Sequence, residues 1–230
     1  MNFNSLEETV RICLSVDDYY WELMTLSQDL MFRFFEEDQI PEIIRQSALC
    51  GVQEAERVLK EGGGKPTELA KEYGIDVELC SPDKFRNPKV VNYAQFSKGK
   101  TERKILVSSV MSHEMKRAVE SLECRERFGD FDPVEVLTGH ELFHHIQESK
   151  PDLLVNTMKV PITQLKVIRR KITPLQISEI AAFAFVKRLL DLPYYPRMVE
   201  ILGLWKRQNT MALKLASKLC ALSGITREAE

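Results

Sequence analysis

The amino-acid sequence predicts an α+β protein that is mostly helical, with a small β-sheet beside a helix carrying the stretch HELFH. Three observations predict this. Apolar residues recur at helical spacing through both ends of the chain. Strand-like segments, IDVEL, KVVNYAQFS and ERKILVSSV, cluster only between Ile75 and Val110. Two proline-bearing helix starts, DPVE and TPLQ, then punctuate the region that follows. With 230 residues, 44% of them hydrophobic and 29% charged, the chain is long enough to bury a sizeable core.

Taken in order, residues 4–36 place Leu6, Val10, Cys13 and Leu14, then Leu23, Leu26, Leu30 and Phe34, on helical faces, and SVDD divides them into two helices. Pro41 opens a further amphipathic helix carrying Ile43, Ile44, Leu49, Val52, Ala55 and Leu59 on one side. EGGGKP ends it with the strongest loop signal in the chain. The expected organisation is therefore an N-terminal helical region over 1–61, a central domain over 62–195, and C-terminal helices over 196–230 packing on that same domain. TELAKEYG reads as a short helix stopped by Gly74; IDVEL is one strand, and KVVNYAQFS and ERKILVSSV are two more around the turn KGKT. Beyond them the pattern predicts helices over 111–127, 133–149, 152–170 with an interruption at Pro161, and 174–191, with one or two more after Pro196.

The two sharp starts have the residue types of capping boxes. Asp132, Pro133 and Glu135 take the cap, first and third positions of one helix, and Thr173, Pro174 and Gln176 take them in the other.

Composition excludes several classes. The net charge is -2, with 32 basic and 34 acidic residues spread along the length, so the electrostatic footprint of a nucleic-acid binder is missing. The longest apolar run, IAAFAFV, is too short to cross a bilayer, and MNFNSLEETV lacks the basic and apolar regions of a signal peptide. Five widely spaced cysteines with no CxxC pair fit free thiols in a reducing compartment. The expectation is a cytoplasmic protein with neither nucleic acid nor membrane as partner.

HELFH carries the chemistry. His140 and His144 are four residues apart, so on a helix of 3.6 residues per turn their imidazoles project side by side and can share one metal ion. Glu141 lies about 100° round the helix, placed to contact a water on that ion rather than to act as a ligand. With three protein ligands and one open position, Zn2+ lowers the pKa of a bound water to about 7 and polarises a carbonyl. Glu141 would act as the general base and hand the proton to a leaving amine.

The motif fixes only three residue types in five, so a third ligand decides between a metal site and two histidines on an ordinary amphipathic helix. The metzincin extension is absent, because Gln147 and Lys150 stand where its glycine and third histidine would be. His113 is followed by a glutamate, but Arg117 takes the place of a second histidine, and it reads as a solvated residue. His145 points away from the His140 face. The best-placed third ligand is Glu179 in SEIAAFAFVKRLL, a lone acid in a helix apolar on nearly every face. An ionised carboxylate buried there needs a cation or a metal; the competing reading is an acid favoured by the helix dipole. Ala181, Ala182 and Ala184 would let this helix approach another closely, which suits a ligand held against the HELFH helix. Tyr194 and Tyr195 could donate to an oxyanion or, as tyrosines beside prolines, simply pack. RKILVSSV could pair with an extended peptide at a sheet edge.

Three segments, PTELAKEYGIDVEL (66–79), GHELFHHI (139–146) and SEIAAFAFVKRLLDLP (178–193), resemble the zinc-dependent ImmA/IrrE-type metallopeptidases of the gluzincin group. That resemblance implies a zincin-like fold over 62–195, Zn2+ held by His140, His144 and Glu179, Glu141 as catalytic base, and a peptide or protein as substrate. Two readings compete with it. One is a catalytically silent zincin-fold protein used for regulation or protein binding, and the other is a helical interaction domain with a coincidental motif.

Overall fold

The computed structural model describes residues 3, 5–87, 91–99, 102–164 and 168–225. The fold is α+β and mostly helical, as expected. Helices α1 (Leu6–Ser15), α2 (Asp18–Leu26) and α3 (Ile40–Lys60) precede α4 (Pro66–Glu72) and strands β1 (Asp76–Cys80), β2 (Ala94–Lys98) and β3 (Arg103–Ser108). Next come α5 (Ser109–Glu120), α6 (Pro133–Ser149), the single turn α7 (Leu154–Thr157), the hairpin β4 (Val160–Gln164) and β5 (Ile168–Ile172), α8 (Gln176–Leu189), α9 (Met198–Leu204) and α10 (Asn209–Ser223). Residues 89 and 90 of the expected second strand, 100 and 101 of the expected turn, 165–167, and 226–230 of the expected C-terminal region lie outside the described residues.

The three-stranded sheet has the order β1-β3-β2, with β1 parallel and β2 antiparallel to β3. Ile105 and Val107 alternate inward from the central strand and are fully buried, as the period-two pattern of ILV requires. β2 is left at the edge, against α6.

Two expectations about secondary structure are corrected. The segment 152–170 is not a helix: it forms the single turn α7 and then the antiparallel pair β4 and β5, in register Val160 to Ile172. Pro161 has no N–H to give a helix, while Val160 and Ile162, two residues apart, are both buried, which is a strand's periodicity. The helix expected over 111–127 ends at Glu120, and a 3-10 turn at Arg125–Phe128 follows it.

α8 is the central element, packed against α3 on one side and α6 on the other. Of its small residues, Ala181 marks the closest approach, and that approach is to α3. A Cβ on Gly51 of α3 would lie 2.0 Å from the carbonyl oxygen of Ala181, so the two backbones meet only because that position is glycine. One cluster of buried side chains extends from Val10 in α1 through Phe143, Phe185 and Leu202 to Leu219 in α10.

The helix starts also divide into one expected and one not. Asp132 caps α6, its Oδ1 accepting from the Val134 N–H at 2.9 Å. Glu135 does not close a box on it; its carboxylate accepts from the N–H and hydroxyl of Thr67 at 3.0 and 2.7 Å and so caps α4. Thr173 does not cap α8, because its hydroxyl donates to the Met158 carbonyl. That cap is Asp29, whose Oδ2 accepts from the N–H groups of Leu175 and Gln176 at 2.6 and 3.2 Å. All five cysteines are buried free thiols. Among the described residues no helix is long and apolar enough to cross a membrane.

Candidate metal centre

α6 starts at Pro133, so His140 and His144 leave it in its second and third turns, on the side facing α8. Glu179 leaves the first turn of α8 and meets them. His140 Nε2 lies 3.1 Å from Glu179 Oε2, His144 Nε2 lies 3.4 Å from Glu179 Oε1, and the two Nε2 atoms are 3.2 Å apart. These three part-buried residues form a group that can hold a metal ion.

The spacing fits the ion the donor set suggests. A tetrahedral ion with bonds of about 2.0–2.1 Å separates its ligand atoms by roughly 3.3 Å, the size of this triangle. Protons fit the triangle badly. If both Nε2 atoms carry one, each can donate to a different oxygen of Glu179, but two protonated rings then crowd each other across 3.2 Å. If only one does, the other nitrogen turns a lone pair toward a carboxylate oxygen. One cation among the three removes both conflicts.

The local electrostatics already favour positive charge. Burial disfavours charge on His144, but the hydrogen bond and charge of Glu179, with help from Glu141 and Gln147, outweigh it and push the imidazole up to about 9. Burial likewise acts to raise the Glu179 carboxyl, and its hydrogen bonds and charge interactions with His140 and His144 outweigh that, holding it far below the usual carboxylate range. The His140 ring packs on Phe183, with centroids 4.6 Å apart, and its buried Nδ1 finds no partner among the described residues.

Glu141 is not part of the triangle. Its Oε2 accepts from the Phe96 N–H at 2.8 Å, which ties α6 to the free edge of β2. The residue faces two adjoining hollows that both reach His140 and Glu179. One, about 230 Å3, is walled by Tyr93, Val136, Leu137, Phe183 and Val199. The other is broad and open, running over His144, Gln147, Asn156 and Phe96. A carboxylate on an accessible wall, beside a metal triad, can receive a proton from a water in the cleft.

Other expectations fare unevenly. RKILVSSV offers no edge, since β3 is paired on both sides; the edges belong to β1 and β2, and β2 is the one against α6. His145 does point away from the triad, but into the interior, between the rings of Tyr73 and Phe96. His113 is exposed and outside the group. Tyr194 is buried beside Phe128 and Phe131, and Tyr195 stacks on Trp21, so both serve packing rather than the cleft. Gln147 and Asn156, which support His144, were not anticipated. The available signal was the spacing of Gln147, one turn beyond His144 on the same face.

No family model matches the chain, and neither a curated protein nor a solved structure matches it. The functional reading therefore rests on the chemistry of the site.

Proposed function

We propose that the protein is a zinc-dependent, metallopeptidase-like hydrolase of the zincin type, resembling the ImmA/IrrE group, that cleaves a peptide or protein in the cytoplasm. The observation that carries this reading is the meeting of two imidazole nitrogens and one carboxylate within 3.1–3.4 Å, beside a carboxylate that faces a cleft. Two imidazoles and one carboxylate suit zinc. When bound, zinc polarises a substrate carbonyl and lowers the pKa of a water in its open position. The protein's own groups do the rest. His140, His144 and Glu179 hold the ion, and Glu141 takes the proton from the attacking water and returns it to the leaving amine.

The test is metal analysis joined to hydrolysis of casein. One zinc per chain is expected, lost in His140→Ala, His144→Ala and Glu179→Ala. Glu141→Gln should keep the metal and lose turnover, because it removes a base and no ligand. Wild-type protein without affinity for zinc would end the metal reading, and full activity in Glu141→Gln would end the assignment of the base.

A second reading, a metal-holding zincin-fold protein without catalysis, is favoured by the bond from Phe96 to Glu141, which engages one oxygen of the base. Zinc binding without hydrolysis of casein or of partner proteins supports it over the first.

A further inference from the structure

Two backbone carbonyls at the C-terminal end of α6 fix the chemistry of a ligand a full turn away. A carbonyl can only accept a hydrogen bond. The Asn156 Nδ2 atom lies 2.9 Å from each of two carbonyl oxygens, those of Gln147 and Lys150, so the amide must present its NH2 group to them. Its Oδ1 therefore faces the Gln147 side chain, 2.9 Å away, and that side chain must answer with its own NH2. Gln147 Oε1 is then left toward His144 Nδ1 at 3.2 Å, where it can only accept. The hydrogen between them belongs to Nδ1. A neutral imidazole has a single N–H, so Nε2 is bare and its lone pair is directed into the triangle formed with His140 and Glu179.

We infer that Gln147 and Asn156 are positioning residues that hold His144 in the tautomer with its proton on Nδ1, presenting Nε2 to the metal ion. The inference rests on the metal reading above and deepens it. His140 has no such support, since its Nδ1 is buried without a partner among the described residues. The two histidines therefore differ in role: His144 is held in place before an ion arrives, and His140 is fixed by the ion itself together with the ring of Phe183. The relay also ties the centre to the chain beyond α6, because Asn156 lies in α7, one turn before the β4–β5 hairpin. A neutral amide serves here as the acceptor. It orients the ring without adding a further negative charge to a centre that already holds Glu179.

The experiment compares Gln147→Leu, Gln147→Glu and Asn156→Leu with the wild type in two readouts. The first is zinc affinity, by competition with a chromophoric chelator. Gln147→Leu should bind about 10–100-fold more weakly, the usual effect of losing a partner that supports a ligating histidine. Gln147→Glu keeps an acceptor for the Nδ1 proton but loses the donor to Asn156 Oδ1, so it should lose less affinity than Gln147→Leu. Asn156→Leu should fall between them. The second readout is the tautomer of His144 in zinc-free, 15N-labelled protein at pH 10, by long-range 15N–1H correlation. The proton should be on Nδ1 in the wild type and should shift toward Nε2 in Gln147→Leu, and thermal melts confirm that each variant is folded. A wild-type proton on Nε2, or unchanged affinity and tautomer in Gln147→Leu, overturns the inference. Failure of the wild type to bind zinc overturns the metal reading alone, because the tautomer is still read without the ion.

Discussion

The two helices that build the metal centre are started in different ways. α6, which brings His140, His144 and Glu141, is capped by the residue before it, Asp132. α8, which brings Glu179, is capped by Asp29, 146 residues before Leu175 in the chain. α6 therefore carries the instruction for its own first turn, whereas the position of α8 depends on the N-terminal helices. Asp29 caps it from the loop after α2, and α3 presses on it through Gly51. The segment before EGGGKP is in this sense part of the centre, although it supplies no ligand.

The largest effect is expected where α3 and α8 touch. A methyl group at position 51 would sit 2.0 Å from the Ala181 oxygen and 2.9 Å from the Phe185 nitrogen, both backbone atoms that no rotamer change can move. Gly51→Ala should cost about 3 kcal/mol or more in chemical denaturation. It should weaken zinc binding as well, because Glu179 lies two residues from the contact. Asp29→Ala comes next. It removes a buried carboxylate that accepts from three backbone N–H groups, those of Met31, Leu175 and Gln176, and should cost about 2 kcal/mol. Because the freed first turn of α8 holds Glu179, zinc affinity should fall with stability. Unchanged affinity would show that α3 alone places the helix.

Asp132→Ala sharpens the contrast. It removes one acceptor from one N–H and should lower stability by about 1 kcal/mol, read from the denaturation midpoint. His140 lies two turns further along a helix held by Phe143 and Leu142, both fully buried, so zinc affinity should not change. A loss of affinity equal to that of Asp29→Ala would abolish the distinction between the two helices.

What could be read from the sequence follows the same division. The pairing of His140 with His144 is set by helical periodicity alone, and Glu179 stood out as a single acid in an apolar helix. The Asp132 cap is written in adjacent residues. Asp29 carries no such signal, since an aspartate in a turn looks the same whether it serves its own loop or a helix far along the chain. Thr173 and Pro174 supplied a convincing local start for α8 that the fold does not use, because the Thr173 hydroxyl closes onto Met158 instead. The segment after Pro151 was misread for a related reason. Leu153, Leu154 and Val155 resemble the end of an amphipathic face, and the period of two at Val160 and Ile162 is too short to stand out beside them. Gln147 and Asn156 are ordinary residues whose purpose exists only in the hydrogen bonds they make across a turn.

The smallest expected effect lies at Glu135, where the local and distant readings of α6 compete directly. In a capping box the N3 side chain reaches back to the backbone of its own N-cap, and glutamine serves nearly as well as glutamate because one acceptor oxygen suffices. Here the carboxylate instead spreads its two oxygens over the N–H and hydroxyl of Thr67, a residue 68 positions earlier. Glutamine can accept from the Thr67 N–H with its oxygen and donate its NH2 to the Thr67 hydroxyl, exchanging a charged acceptor for a neutral pair, so Glu135→Gln should cost only a few tenths of a kcal/mol. The partner identifies itself in a double-mutant cycle. Glu135→Ala and Thr67→Ala measured singly and together in urea should show a coupling of about 0.5–1 kcal/mol if the carboxylate caps α4. A box closed on Asp132 gives additive losses, with no coupling to Thr67. In that outcome Glu135 would serve the first turn of α6 together with Asp132 and α4 would lose its cap, which would widen the contrast with α8.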